Sequence, residues 1–228
     1  MASLIKDLRR ELGNTVAEAR KVAEEGAEQS LKRLAVDVPR PHDSLTTEEK
    51  KFRVSLRVHA KQLGDRLDAR PARLIQAVAY EHWHRLLFAR FLIENDLLLH
   101  PEHGIALSLD EVKEIALGKD RGWAEVAADY AQRMLLRRVF QPEDPALRVS
   151  LPPEKRLQLE AKLNSLPRAV FLADDSLGWV YQFWQKEAKE AANKSEAKIG
   201  ADELAPVTQL FTEDYMVLFL LENTLGAW

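Results

Sequence analysis

Apolar residues recur every three or four positions through most of the chain. Leu4, Leu8, Leu12, Val16, Ala19, Val22, Ala23, Ala27, Leu31 and Leu34 form the first such row, the spacing of a helix that buries one side. It predicts a long amphipathic N-terminal helix that stops before Pro39 and Pro41, with Gly26 its weakest point. Thr46 and Glu49 stand at capping-box spacing, so a hydroxyl and a carboxylate can satisfy free amides at a helix start. That second helix should turn Phe52, Leu56, Leu63 and Leu67 inward and run to about Asp68. Pro71 suits the first turn of a third helix. From Leu74 to Leu99 the third helix is apolar on most sides, with Ile75, Val78, Trp83, Leu87 and Leu92 among its residues, which predicts a central element ended by Pro101 and Gly104. Ser108 and Glu111 repeat the capping-box spacing and predict a short helix to about Gly118. Trp123, Val126, Tyr130, Met134, Leu135 and Val139 then mark one face of another.

Residues 141–153 contain four prolines and read as a linker. It would divide an N-terminal helical bundle, 1–140, from a second helical segment, 154–228, with short helices from about Glu154 and Ser176. Residues 192–205 are small, polar and charged, as in a surface loop. Val207 to Phe211 reads as extended, and Thr212 as the N-cap of a last helix. No alternating pattern of strand length occurs. The expected fold is mostly α: an irregular multi-helix bundle with a long N-terminal helix and no substantial sheet.

The last helix carries seven consecutive apolar residues, Tyr215 to Leu221. Burying one large apolar side chain is worth roughly 1.5–3 kcal/mol, whereas a helix closing a finished domain keeps a polar face. This row therefore predicts a helix whose other side meets a partner.

Composition narrows the functions. The net charge is -3 and the pI about 6.1, which excludes a uniformly basic nucleic-acid binder. From Lys50 to Arg90, however, ten Lys and Arg face only Asp65, Asp68 and Glu81. Within that span Lys50, Arg53, Arg57 and Lys61 share one helical face, a stripe suited to the phosphates of duplex DNA. The absence of cysteine excludes disulfides, a thiol nucleophile and a thiolate zinc site. His82 and His84, two apart on a helix, diverge by about 200° and do not clamp one metal ion. Asp174-Asp175-Ser176 reads as a helix cap. The polar start of the chain is no secretory signal, and no apolar run is long enough to span a membrane, so a cytoplasmic location is expected.

Three segments carry a resemblance. Ala205-Pro206-Val207-Thr208-Gln209-Leu210-Phe211-Thr212-Glu213-Asp214-Tyr215, continuing to Leu225-Gly226, resembles the segment before the catalytic domain of large adenine-specific DNA methyltransferases of the BREX phage-resistance and fused restriction–modification kinds. Ala79-Tyr80-Glu81-His82-Trp83-His84-Arg85-Leu86-Leu87 is similar to that family's early aromatic-Arg-Leu helix. Leu177-Gly178-Trp179-Val180-Tyr181-Gln182 is similar to its Leu-Gly-x-x-Tyr-Gln helix. The resemblance covers about Arg70 to Trp228 in the family's order.

It implies an edge of the S-adenosylmethionine pocket at Gln209, Phe211 and Thr212. Gln209 offers a donor and an acceptor, Phe211 an apolar cover, and Thr212 a hydroxyl and backbone amides at a helix start. Where the family often has Pro after this Thr, here stands Glu213. The family's Asp-Pro-Ala-Cys-Gly-Ser-Gly cofactor turn and Asn-Pro-Pro-Tyr catalytic loop are absent. The resemblance thus implies the N-terminal helical part of such an enzyme, inactive alone, with its catalytic domain C-terminal to Trp228. A stand-alone helical module for protein–protein interaction is the alternative. Neither reading asks for a metal.

Overall fold

The computed structural model describes residues 3–119, 121–134, 144–194, 212, 214–224 and 226. Among these the chain is built of helices, with a single isolated antiparallel bridge between Leu99 and Ala106. The fold is mostly α, as the periodicity predicts. Two compact units are present: Glu18–Ser165, and Met1–Ala17 together with Leu166–Trp228.

Helix α1, Lys6–Arg33, is unbroken, and the buried row Leu12, Val16, Ala19, Ala23, Ala27 and Leu31 is the face its spacing predicts. Its stretch within the larger unit uses alanines and Gly26, which let another helix come close. That helix is α6, Pro153–Ser165. A Cβ on Gly26 would lie 3.1 Å from Cβ of Lys155. Ser30 Oγ donates to the Ser150 carbonyl at 2.7 Å, Lys155 pairs with Glu25 at 2.5 Å and Lys162 with Glu18 at 2.5 Å. Partner numbers fall on one helix as they rise on the other, so the two run antiparallel.

Helix α2, Thr47–Gln62, opens with the expected capping box. It ends about six residues earlier than the spacing suggests. The Gly64 amide donates to Lys61 O and that of Asp65 to Ala60 O, with Gly64 at φ 88°. This is the Schellman arrangement, which satisfies the last carbonyls and reverses the chain. Helix α3, Ala72–Glu94, is the central element, packed against α2, α5 and α6, with Leu74, Ile75, Val78, Trp83 and Leu87 buried. It stops well before Pro101. Asp96, at φ 56°, provides the left-handed residue, and the amides of Asp96 and Leu97 close on Ile93 O and Leu92 O. The chain then makes the bridge before α4, Leu109–Gly118, whose Ser108–Glu111 capping box is as expected. Helix α5, Trp123–Arg133, packs on α3 and α4.

The described part of the proline-rich stretch is packed rather than solvated: Ala146, Val149 and Leu151 are buried within the larger unit. Their apolar side chains outweigh what proline content alone suggests.

In the smaller unit, α7 is Arg168–Leu172, α8 is Ser176–Lys194 and α9 is Asp214–Thr224. Asp175, buried just before α8, accepts the Leu4 amide at 2.7 Å and the Trp179 indole N–H at 2.9 Å. Arg9 lies over the Trp179 ring, 4.0 Å from its centroid. The carboxylate expected to cap a helix thus ties the chain's first residues to α8.

Candidate functional site: the closing helix and the basic face

All seven residues from Tyr215 to Leu221 on α9 are exposed, from 39% at Val217 to 63% at Phe219. Helices apolar on every side are ordinarily enclosed, and contiguous exposed apolar surface marks an interaction site. Of the polar residues at the end of α9, Glu222 is exposed and the other two bond back onto the helix. Asn223 Nδ2 donates to Phe219 O at 2.7 Å and Thr224 Oγ1 to Leu220 O at 2.6 Å. Thr212 is exposed, two residues before the first helical residue. Gln209 and Phe211, the other two residues of the expected cofactor edge, lie outside the described residues.

The basic stripe is divided by the structure. Lys50 and Lys61 are exposed. Arg53 is buried, its Nε donating to Ala35 O at 2.8 Å and its Nη2 to Val38 O at 2.6 Å and Pro39 O at 3.0 Å. Arg57 Nη1 reaches Val36 O at 2.6 Å and Val38 O at 2.7 Å, and Nη2 reaches Leu67 O at 3.1 Å. The physical cause is the end of α1. Ala35 adopts φ 56° and the chain turns sharply into Val36–Pro39, leaving carbonyls that need donors. Two guanidiniums from α2 supply them, and burial pushes Arg53 below its ordinary value. The expectation that Arg53 and Arg57 present charge to DNA is therefore corrected. The free cationic face of α2 comprises Lys50, Lys51 and Lys61.

The two histidines of α3 have structural roles. His82 Nε2 donates to the Val149 carbonyl at 2.7 Å, and burial holds its imidazole down to about 4. His84 stacks between Tyr80 at 5.6 Å and Phe88 at 6.0 Å, and Phe88 in turn on Phe91 at 6.0 Å. This half-buried ladder is the aromatic segment singled out in the sequence. Asp65 escaped sequence reasoning: from the loop after α2 it accepts the amides of Arg73 at 3.0 Å and Leu74 at 2.8 Å, capping α3 from outside it. Its spacing of eight and nine residues matches no local cap pattern.

A stretch of 52 residues, 23% of this chain, is 44% identical to the adenine-specific methyltransferase PglX of Lacticaseibacillus casei (strain Zhang). It spans 4% of that much longer protein. No family model matches the chain, and no solved structure does. Similarity to a methyltransferase is thus found over about a quarter of the chain. No described helix is long and apolar enough to cross a membrane.

Proposed function

We propose that this chain is a helical, non-catalytic part of an S-adenosylmethionine-dependent, adenine-specific DNA methyltransferase of a restriction–modification or phage-defence system. In this reading α9 is the face on which the catalytic domain, C-terminal to Trp228, is seated, and Gln209, Phe211 and Thr212 form one edge of the cofactor pocket. The observation that carries it is the exposed apolar row of α9, immediately after the segment that resembles the family's pre-catalytic turn. The similarity to PglX supports the same class. Duplex DNA contact falls to Lys50 and Lys61, since those two cations of the stripe are exposed.

The test begins with the natural reading frame beyond Trp228, where an Asp-Pro-x-Cys-Gly-x-Gly turn is expected within about thirty residues. The protein extended through that domain should transfer labelled methyl groups to adenine in DNA, and the 228-residue chain should not. In the extended protein Phe211→Ala and Thr212→Ala should each weaken cofactor binding about fivefold, the scale of one lost contact of about 1 kcal/mol. A frame without these motifs overturns the methyltransferase reading and leaves the interaction module. Unchanged cofactor affinity in both variants removes the pocket assignment.

A further inference from the structure

The larger unit holds a cavity of about 720 Å³ among α3, α4, α5 and the segment leading into α6, a size usual for small-molecule sites. Its apolar wall includes Leu86, Leu147 and Leu159. Its charged residues are Arg85, Lys113, Arg121 and Arg156 against Glu125 and Glu160.

Three observations on this wall share one sign. The start of α5 opens on the cavity at Gly122, Trp123, Ala124 and Glu125, and no side chain caps it, so its first amides and the positive end of its dipole are free for an anion. Trp123, only 6% exposed, has a buried indole N–H without an acceptor. Arg85 has a buried Nε in the same state, and burial pushes its guanidinium below its ordinary value. A buried donor left without an acceptor is costly, and here two belong to residues that line the same cavity as an uncapped helix start. What is missing is an acceptor.

The carboxylates do not fill that role. Glu125 is engaged by Arg121 at 3.0 Å and by Arg156 at 3.8 Å. Burial pushes the Glu160 carboxyl above its ordinary value. The Arg121 guanidinium is further held by Asp129 at 2.7 Å, which also lies 3.7 Å from Arg85. That network fixes the arginines around the helix start and leaves Arg85 Nε unpaired.

We propose that this cavity is a binding site for a phosphate-bearing small molecule. The phosphate would take the α5 amides, the Trp123 indole and Arg85 Nε, with the organic part against the leucine wall. A group with three oxygens fits this set of donors better than a carboxylate with two. The proposal is independent of the methyltransferase reading, since none of its residues belongs to the cofactor edge or to α9.

Thermal unfolding of the purified chain, with calorimetric titration, tests it using inorganic phosphate, a nucleoside monophosphate, a sugar phosphate and benzoate, each against sodium chloride at equal ionic strength. At least one organic phosphate should raise the midpoint beyond chloride and bind more tightly than inorganic phosphate. Trp123→Phe keeps the ring, removes the N–H and should weaken that binding about fivefold; Arg85→Gln should weaken it further. Lys21→Gln, on the exposed side of α1, should leave it unchanged. Should Trp123→Phe lower the stability of the ligand-free chain, the titration is read at a temperature where circular dichroism shows it folded. The proposal is overturned if no phosphate exceeds chloride, if benzoate binds as well as the phosphates, or if folded Trp123→Phe binds like the parent.

Discussion

Arg53 shows how a side chain's charge can be committed to the backbone. Its three carbonyl partners are all products of the turn that ends α1, so replacing it strands buried acceptors. Arg53→Met should lower unfolding stability by about 2–4 kcal/mol, since each stranded acceptor costs about 1–3 kcal/mol and the turn can relax only in part. Lys50→Gln and Lys61→Gln should stay within about 0.5 kcal/mol of the parent, as is usual for exposed positions. Urea unfolding separates the two classes, and a mild Arg53→Met would return that residue to the candidate DNA face. His82 supplies a pH-dependent counterpart. Its imidazole takes a proton near 6.5 when unfolded but only near 4 when folded, so between those values the unfolded chain binds more protons and is favoured as pH falls. The parent should lose stability relative to His82→Gln from about pH 6.5 down to about pH 4, with no further relative loss below. A gap that stays constant across this window would show that the imidazole is solvated.

Helix starts and helix ends differ in how they are written. Both capping boxes lie within four residues and were legible, whereas α1 and α3 end on left-handed Ala35 and Asp96, where no glycine announces a stop. The cap of α3 depends on Asp65, which only the turn at Gly64 brings within reach of the Arg73 and Leu74 amides. Asp65→Ala should therefore cost about 1 kcal/mol, read as a shift in urea midpoint; an unshifted midpoint would mean that water caps α3 equally well. Helix glycines can be sorted on similar grounds. Ala gains up to about 1 kcal/mol over Gly in a helix, and a Cβ at Gly118 meets nothing within 4 Å. At Gly26 it meets Lys155 Cβ at 3.1 Å and Cγ at 3.3 Å. Gly118→Ala should raise the thermal midpoint, and Gly26→Ala should fail to, because α6 must shift away. Equal gains at both positions would show that α1 and α6 are less tightly apposed. The sequence marked Gly26 as a weak point in a helix; only the packing of α6 explains its presence. For the same reason half of the basic stripe was misread. Periodicity locates Arg53 and Arg57 on a face, but the carbonyls they serve come from a turn fourteen to twenty-one residues earlier and, for Arg57, also from Leu67 ten residues later.

For the molecule as a whole, the exposed row of α9 is the feature least compatible with an isolated existence in water. Seven adjacent apolar residues, each at least 39% exposed, provide surface that association would remove, at about 25 cal/mol per Å² of apolar area buried. At rising concentration the chain on its own should self-associate through α9 and bind an apolar dye, both measurable by sedimentation and fluorescence. Leu218→Ser with Phe219→Ser should suppress both. Because these side chains are 49% and 63% exposed, the double variant should leave the thermal midpoint of the remaining helices within the range of a surface change, about 0.5 kcal/mol. Loss of association without loss of stability identifies α9 as a surface for another domain or chain. If instead the double variant unfolds at a clearly lower temperature, α9 is packed within its own unit, and the proposed seat of a catalytic domain must be sought elsewhere. The same pair of serines placed in the extended protein distinguishes the kind of partner. Methyl transfer should fall if α9 carries the catalytic domain, and should persist if its partner is a separate protein.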